Sequence, residues 1–114
     1  MTPKKIPLHF YRTKGGSEPV REWLKGLEQQ DRNAIGRDLM RVQFRWPIGM
    51  PLCRNLGEGL WELRSDLPDN RIARVIFFFH RGILVALHGF VKKTQKTPNE
   101  EIELASRRRK EVAR

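Results

Sequence analysis

Three successive apolar runs between Leu60 and Pro98 carry Arg64, Arg71, Arg74, Lys92, Lys93 and Lys96 on or beside them. Runs rich in β-branched and aromatic residues predict strands, and strands hold side chains rigidly, so these charges are positioned rather than merely solvated. Arginine offers planar, bidentate contact to phosphate oxygens, and lysine a mobile point charge. Such a set suits phosphodiester chemistry. An RNA strand carries its own nucleophile, the 2′-hydroxyl; a protein need only orient it, stabilise the charge of the transition state and manage two protons. A lysine crowded by other cations has its charged form disfavoured and so suits proton transfer, with Glu62 and His88 as the other titratable candidates. DNA lacks the 2′-hydroxyl, so the constellation favours RNA.

Each residue also has a plainer reading. Glu62 and Arg64 alternate on one strand face and are expected to form a solvated charge pair. Arg71 opens a strand, where a solvent-facing cation is common. Arg74 stands mid-strand between Ile72 and Ile76, and an arginine on an apolar face needs a partner. His88, flanked by Leu87 and Gly89, reads as a hydrogen-bonded structural histidine. Lys92, Lys93 and Lys96 also fit an ordinary charged turn. The run from Arg107 and Arg108 to Lys110 fits a solvated helix end that touches RNA backbone. Convergence on three strands, not any single residue, carries the chemical reading.

Other chemistries lack their residues. There is no G-x-S-x-G and no glycine-rich phosphate loop; Gly57-x-Gly59 lacks a third glycine and precedes a strand. His9, His80 and His88 show no metal-ligand spacing, and the carboxylates do not cluster as a divalent-metal site requires. Cys53 is the single cysteine, which excludes an internal disulfide and a cysteine-based zinc site. The expectation is metal-free chemistry with no cofactor.

The elements that must position these groups are legible from periodicity. At 114 residues the chain is read as one domain, and 39% hydrophobic with 32% charged residues suits a globular fold rather than a disordered chain. Lys and Arg number 23 against 13 Asp and Glu, a net +10 that predicts a polyanionic or acidic partner. The opening MTPKKIPLHFY lacks the apolar core of a secretory signal, and the longest apolar run, Val75 to Phe79, has strand length; a cytoplasmic protein with no membrane association is expected.

Ile6, Leu8 and Phe10 alternate as a short edge strand. Ser17 is expected to cap a helix with Pro19 in its first turn and Val20, Trp23, Leu24 and Leu27 on one stripe. A second helix is expected from Gln30 to Trp46, with Ile35, Leu39, Val42 and Trp46 inward and arginines elsewhere, ended by Pro47. Pro47 to Gly59 reads as an irregular connection. Strands follow at Leu60–Ser65, Arg71–Phe79 and Ile83–Val91. Thr97 as cap, Pro98 at the first helical position and Glu100 completing a capping box begin a last helix. The predicted order is β-α-α-β-β-β-α, an α+β fold with helices on a small, mostly antiparallel sheet.

The strings LWELRSD, NRIARVIFFF and LHGFVKKTQKTP followed by EIELASRRRKE resemble the phage-derived branch of the HigB toxins, within the RelE/ParE superfamily. The likeness covers nearly the whole chain and is most specific over GFVKKTQKTPxxEI. It implies a RelE-like fold and the toxin of a type II toxin–antitoxin system, a metal-independent endoribonuclease that cleaves mRNA on the translating ribosome. It further implies silencing by a cognate helix-turn-helix antitoxin. Carried over by position, Arg71 and Lys93 face the scissile phosphate, Arg64 stabilises the transition state, and Lys92 and Lys96 hold RNA backbone; Arg74, Arg107 and Arg108 are further RNA-binding candidates from the residues themselves. Some RelE relatives carry a late tyrosine that assists base stacking or proton transfer. Here the only tyrosine is Tyr11, so that role is unfilled or passes to another group such as His88. Two rival functions stay open: a ParE-like gyrase inhibitor on the same fold, and a non-enzymatic basic RNA-binding protein.

Overall fold

A computed structural model describes residues 4–113. The elements run β1 (Leu8–Phe10), α1 (Pro19–Lys25), α2 (Gln29–Arg45), β2 (Cys53–Gly57), β3 (Leu60–Leu67), β4 (Arg71–His80), β5 (Ile83–Lys92) and α3 (Asn99–Val112). They form a mixed α+β fold with one five-stranded sheet in the order β1-β5-β4-β3-β2. All pairings are antiparallel except β1 with β5, which is parallel. No helix among the described residues is long and apolar enough to cross a membrane.

The sheet has a core on each face. Side chains alternate along a strand, so Leu63, Ala73, Val75, Phe77 and Leu84 face α1 and α2, where they meet Val20, Ile35, Leu39 and Val42. Leu60, Ile76, Phe78, Val85 and Phe90 build the other face with Tyr11 and Ala105 of α3. Trp23 of α1 packs directly on β5. A Cβ at Gly89 would fall 2.3 Å from its ring carbons, so glycine is what lets α1 approach the sheet.

Three sequence expectations need correction. The stretch from Pro47 to Gly59 is not wholly irregular, because Cys53–Gly57 is the edge strand β2. It joins β3 through Glu58-Gly59, both at positive φ (52° and 82°), as a two-residue hairpin of mirror-image turn type demands. Arg81-Gly82 joins β4 to β5 in the same way, at φ 50° and 82°. Ser17 is not a helix cap; Glu18 holds that position, and the Ser17 backbone N–H instead donates to Thr13 Oγ1 at 3.1 Å. Nor does Thr97 cap the last helix. Pro98 is the cap and Asn99 the first helical residue, because the Thr97 hydroxyl is spent on a buried carboxylate described below.

Candidate nucleic-acid interface

The cations predicted from sequence divide first by the side of the sheet on which they fall. The β3–β4 register pairs Arg64 with Arg74, and Leu67 with Arg71. Arg64 and Arg74 therefore share the α3 face, whereas Arg71 points to α2.

On the α3 face the arginines hold a loop. Glu62 is fully buried, accepting from Arg64 Nε at 2.8 Å and from Thr97 Oγ1 at 2.5 Å. The same guanidinium donates through Nη1 to Gln95 Oε1 at 3.2 Å and through Nη2 to the Gln95 carbonyl. Arg74, 0% exposed, donates through Nη1 to the Lys96 carbonyl at 3.1 Å and through Nη2 to the Thr94 carbonyl, with Phe90 under its guanidinium. Burial lowers the Arg74 pKa, Glu62 opposing that shift. Both arginines thus pin the segment 94–97, and the expected solvated pair of Glu62 and Arg64 in fact has its carboxylate buried and its guanidinium half-buried. Arg74 drops out of the expected RNA-binding residues, because a fully covered guanidinium turned to protein carbonyls cannot reach a phosphate. Lys92, Lys93 and Lys96 stay exposed on the pinned segment or at its edges.

On the other face Arg71 grips α2. Its Nη1 and Nη2 bond the two oxygens of buried Asp31 at 2.9 and 3.1 Å, and its Nε donates to the Pro68 carbonyl at 3.0 Å. The Asp31 bond raises the Arg71 pKa. A guanidinium has five N–H donors, so two remain for an anion. Arg71 and Lys93 line one cavity of about 310 Å³, together with Asp66, Asn70 and Gln95.

The remaining residues lie elsewhere. His88 is stacked on Phe90 with its Nε2 2.5 Å from Glu101 of α3, and it lines neither cavity of this region. Its plainer reading, a hydrogen-bonded structural histidine, fits this placement. Arg108 donates to the Leu87 carbonyl at 2.7 Å and lies over the ring of Tyr11, whose hydroxyl in turn donates to Glu111. Burial lowers the Arg108 pKa. It is a strut between α3 and the sheet, half-buried, while Arg107 is exposed on α3.

Three residues escaped the sequence reading. Arg37 and Arg41, exposed on α2, line a second cavity of about 370 Å³ with Arg64 and Asp66. Their spacing of four along the predicted helix was the available signal, since i and i+4 share a helix face. Asp66, exposed near the end of β3, lines both cavities. No group of three or more His, Cys, Asp or Glu side chains among the described residues is arranged to hold a metal ion.

A protein-family model described as Phage derived protein Gp49-like (DUF891) matches residues 22–110. No curated protein matches the chain.

Proposed function

The chain belongs to the family of phage-derived Gp49-like proteins, and from that membership we propose that it is a HigB-like toxin of the RelE superfamily, a metal-independent endoribonuclease that cleaves mRNA on the translating ribosome. The observation that carries the reading is the cavity shared by Arg71 and Lys93. They arrive there from the start of β4 and from the segment after β5, two places far apart in sequence. One is anchored by Asp31, and the other stands beside a loop anchored by Arg64 and Arg74.

In this reading the 2′-oxygen attacks the adjacent phosphorus while the bond from phosphorus to the 5′-oxygen breaks. The products are a 2′,3′-cyclic phosphate and a 5′-hydroxyl, and no co-reactant is consumed. Arg71 and Lys93 neutralise the phosphorane-like transition state. The carboxylate that lines this cavity is Asp66. It accepts the 2′-hydroxyl proton, the role the sequence reading passed to His88, and Lys93 protonates the leaving oxygen. Lys92 and Lys96 hold backbone. A cognate helix-turn-helix antitoxin is the expected partner.

The test is primer extension on message from a purified translation system. Wild type gives discrete truncated products; Arg71→Ala, Lys93→Ala and Asp66→Asn lose them. Full cleavage by all three variants refutes the site, and intact message with wild type refutes the activity. Gyrase inhibition with intact message assigns the chain to the ParE-like alternative, and steeply salt-dependent binding without cleavage assigns it to RNA binding alone.

A further inference from the structure

The 370 Å³ crevice between α2 and the 48–52 loop shares Asp66 with the cavity of Arg71 and Lys93 but holds neither of those two cations. One wall is apolar, made of Ala34, Ile48 and Leu52, and the rim carries Arg37 and Arg41. Arg41 makes a surface pair with Asp38 at 3.3 Å, and Arg37 has no salt-bridge partner among the described residues. Asp38 is itself occupied, since its other oxygen accepts from Ser65 Oγ at 2.6 Å. The crevice therefore offers an open apolar face beside two cations with donors to spare.

We propose that this crevice is a nucleotide subsite, taking one base of a single-stranded RNA against its apolar wall and the adjoining phosphate on Arg37 and Arg41. This rests on the RNA reading above and extends it to a second position on the strand. Single-stranded RNA is held by stacking bases on aromatic rings or guanidinium planes and by cations on the backbone. No aromatic ring lines this crevice among the described residues; it supplies instead an aliphatic wall for the base beside the Arg37 and Arg41 guanidiniums. Its location agrees. Asp66 lines this crevice and also the cavity of Arg71 and Lys93, so the two adjoin along β3. A strand with its scissile phosphate at Arg71 and Lys93 enters the crevice with a neighbouring nucleotide. An acidic peptide would satisfy the arginines while leaving the apolar wall unused.

The experiment is amide chemical-shift mapping on the full chain. It is titrated with each nucleoside 5′-monophosphate, with ribose 5-phosphate, with a short oligoribonucleotide and with oligoglutamate. Nucleotides are expected to shift Ala34, Gly49 and Leu52. At least one is expected to bind about fivefold or more tighter than ribose 5-phosphate, the scale of burying part of one base face against an aliphatic wall. Arg37→Ala with Arg41→Ala, both on the solvent side of α2, should weaken the nucleotide about tenfold while leaving the fold's spectrum intact. Equal binding of ribose 5-phosphate overturns the base pocket. So do nucleotide shifts confined to residues 92–96, and so does oligoglutamate that moves the same amides as strongly. Oligoribonucleotide binding without crevice shifts refutes the subsite alone; an oligoribonucleotide that does not bind refutes the RNA reading with it.

Discussion

Glu62→Gln is the sharpest perturbation of the loop that carries the lysines. The carboxylate is 0% exposed and accepts two bonds, from Arg64 and from Thr97. Removing one partner of a buried ion pair costs roughly 3–5 kcal/mol when the other charge is stranded. Here Arg64 keeps both acceptors on Gln95, and the amide oxygen of glutamine retains one bond. The expected loss is therefore smaller, about 2–3 kcal/mol. Unfolding entropy of about 2.1 cal/mol/K per residue over 114 residues converts each kcal/mol to roughly 4 °C. Melting should accordingly fall by about 8–12 °C.

A second readout separates loop anchoring from general destabilisation. Amides of residues 94–97 should exchange faster in Glu62→Gln well below the melting temperature, while those of the β4–β5 ladder keep their protection relative to the new global stability. RNA binding should weaken although no exposed cation has been removed. Thr97→Val should share the effect, so the double variant loses less than the sum of the single ones. A melting temperature within about 2 °C of wild type, or strictly additive single variants, would refute the anchoring argument.

Gly89→Ala should cost about 1–3 kcal/mol by overpacking, since its methyl would meet the Trp23 ring at 2.3 Å; urea unfolding measures it, and Trp23→Leu should recover part of the loss. Replacing Lys92, Lys93 and Lys96 by alanine should flatten the dependence of log binding constant on log salt by about 0.7 for each phosphate no longer neutralised, as fluorescence anisotropy with an oligoribonucleotide can show. Burial pushes the Cys53 thiol from 9.0 up to about 12, so it should resist alkylation in the native state at neutral pH and react once the chain is unfolded. The same shift has a sign for stability: the folded state holds its proton more tightly, so the contribution is complete below the unfolded value near 9 and is lost as pH rises from there towards 12. Alkaline unfolding curves check it.

The strands that carry the cations were legible because their apolar runs are long and their turns short. Leu60–Leu67, Arg71–His80 and Ile83–Lys92 match the expected strands to within two residues at each end. The strand Cys53–Gly57 was not, since its one fully buried side chain is Cys53 and the rest of CRNLG looks like a loop. An edge strand on the rim of a sheet needs little apolar content, and only pairing with Leu60–Leu67 makes it a strand. The capping box at Thr97 failed for a related reason. A local helix signal lost to Glu62, a buried acceptor thirty-five residues away in sequence.

What the sequence determined by itself was the excess of cations, the placement of six of them on or beside three strands, and the α+β pattern of elements. These follow from composition and from periodicities of two and about 3.6, which are local properties. Which face each cation occupies is not local. Alternation orders residues within a strand, but relating Arg64 to Arg74 and separating both from Arg71 requires the register between strands, set by turns and core packing. Tertiary structure therefore decided that Arg74 is a buried anchor and Arg64 a half-buried one, that Arg71 and Lys93 share a cavity with Asp66, and that Arg37 and Arg41 line the adjoining one. It also took His88 out of that region, because α3 lies across it and supplies Glu101 as its partner.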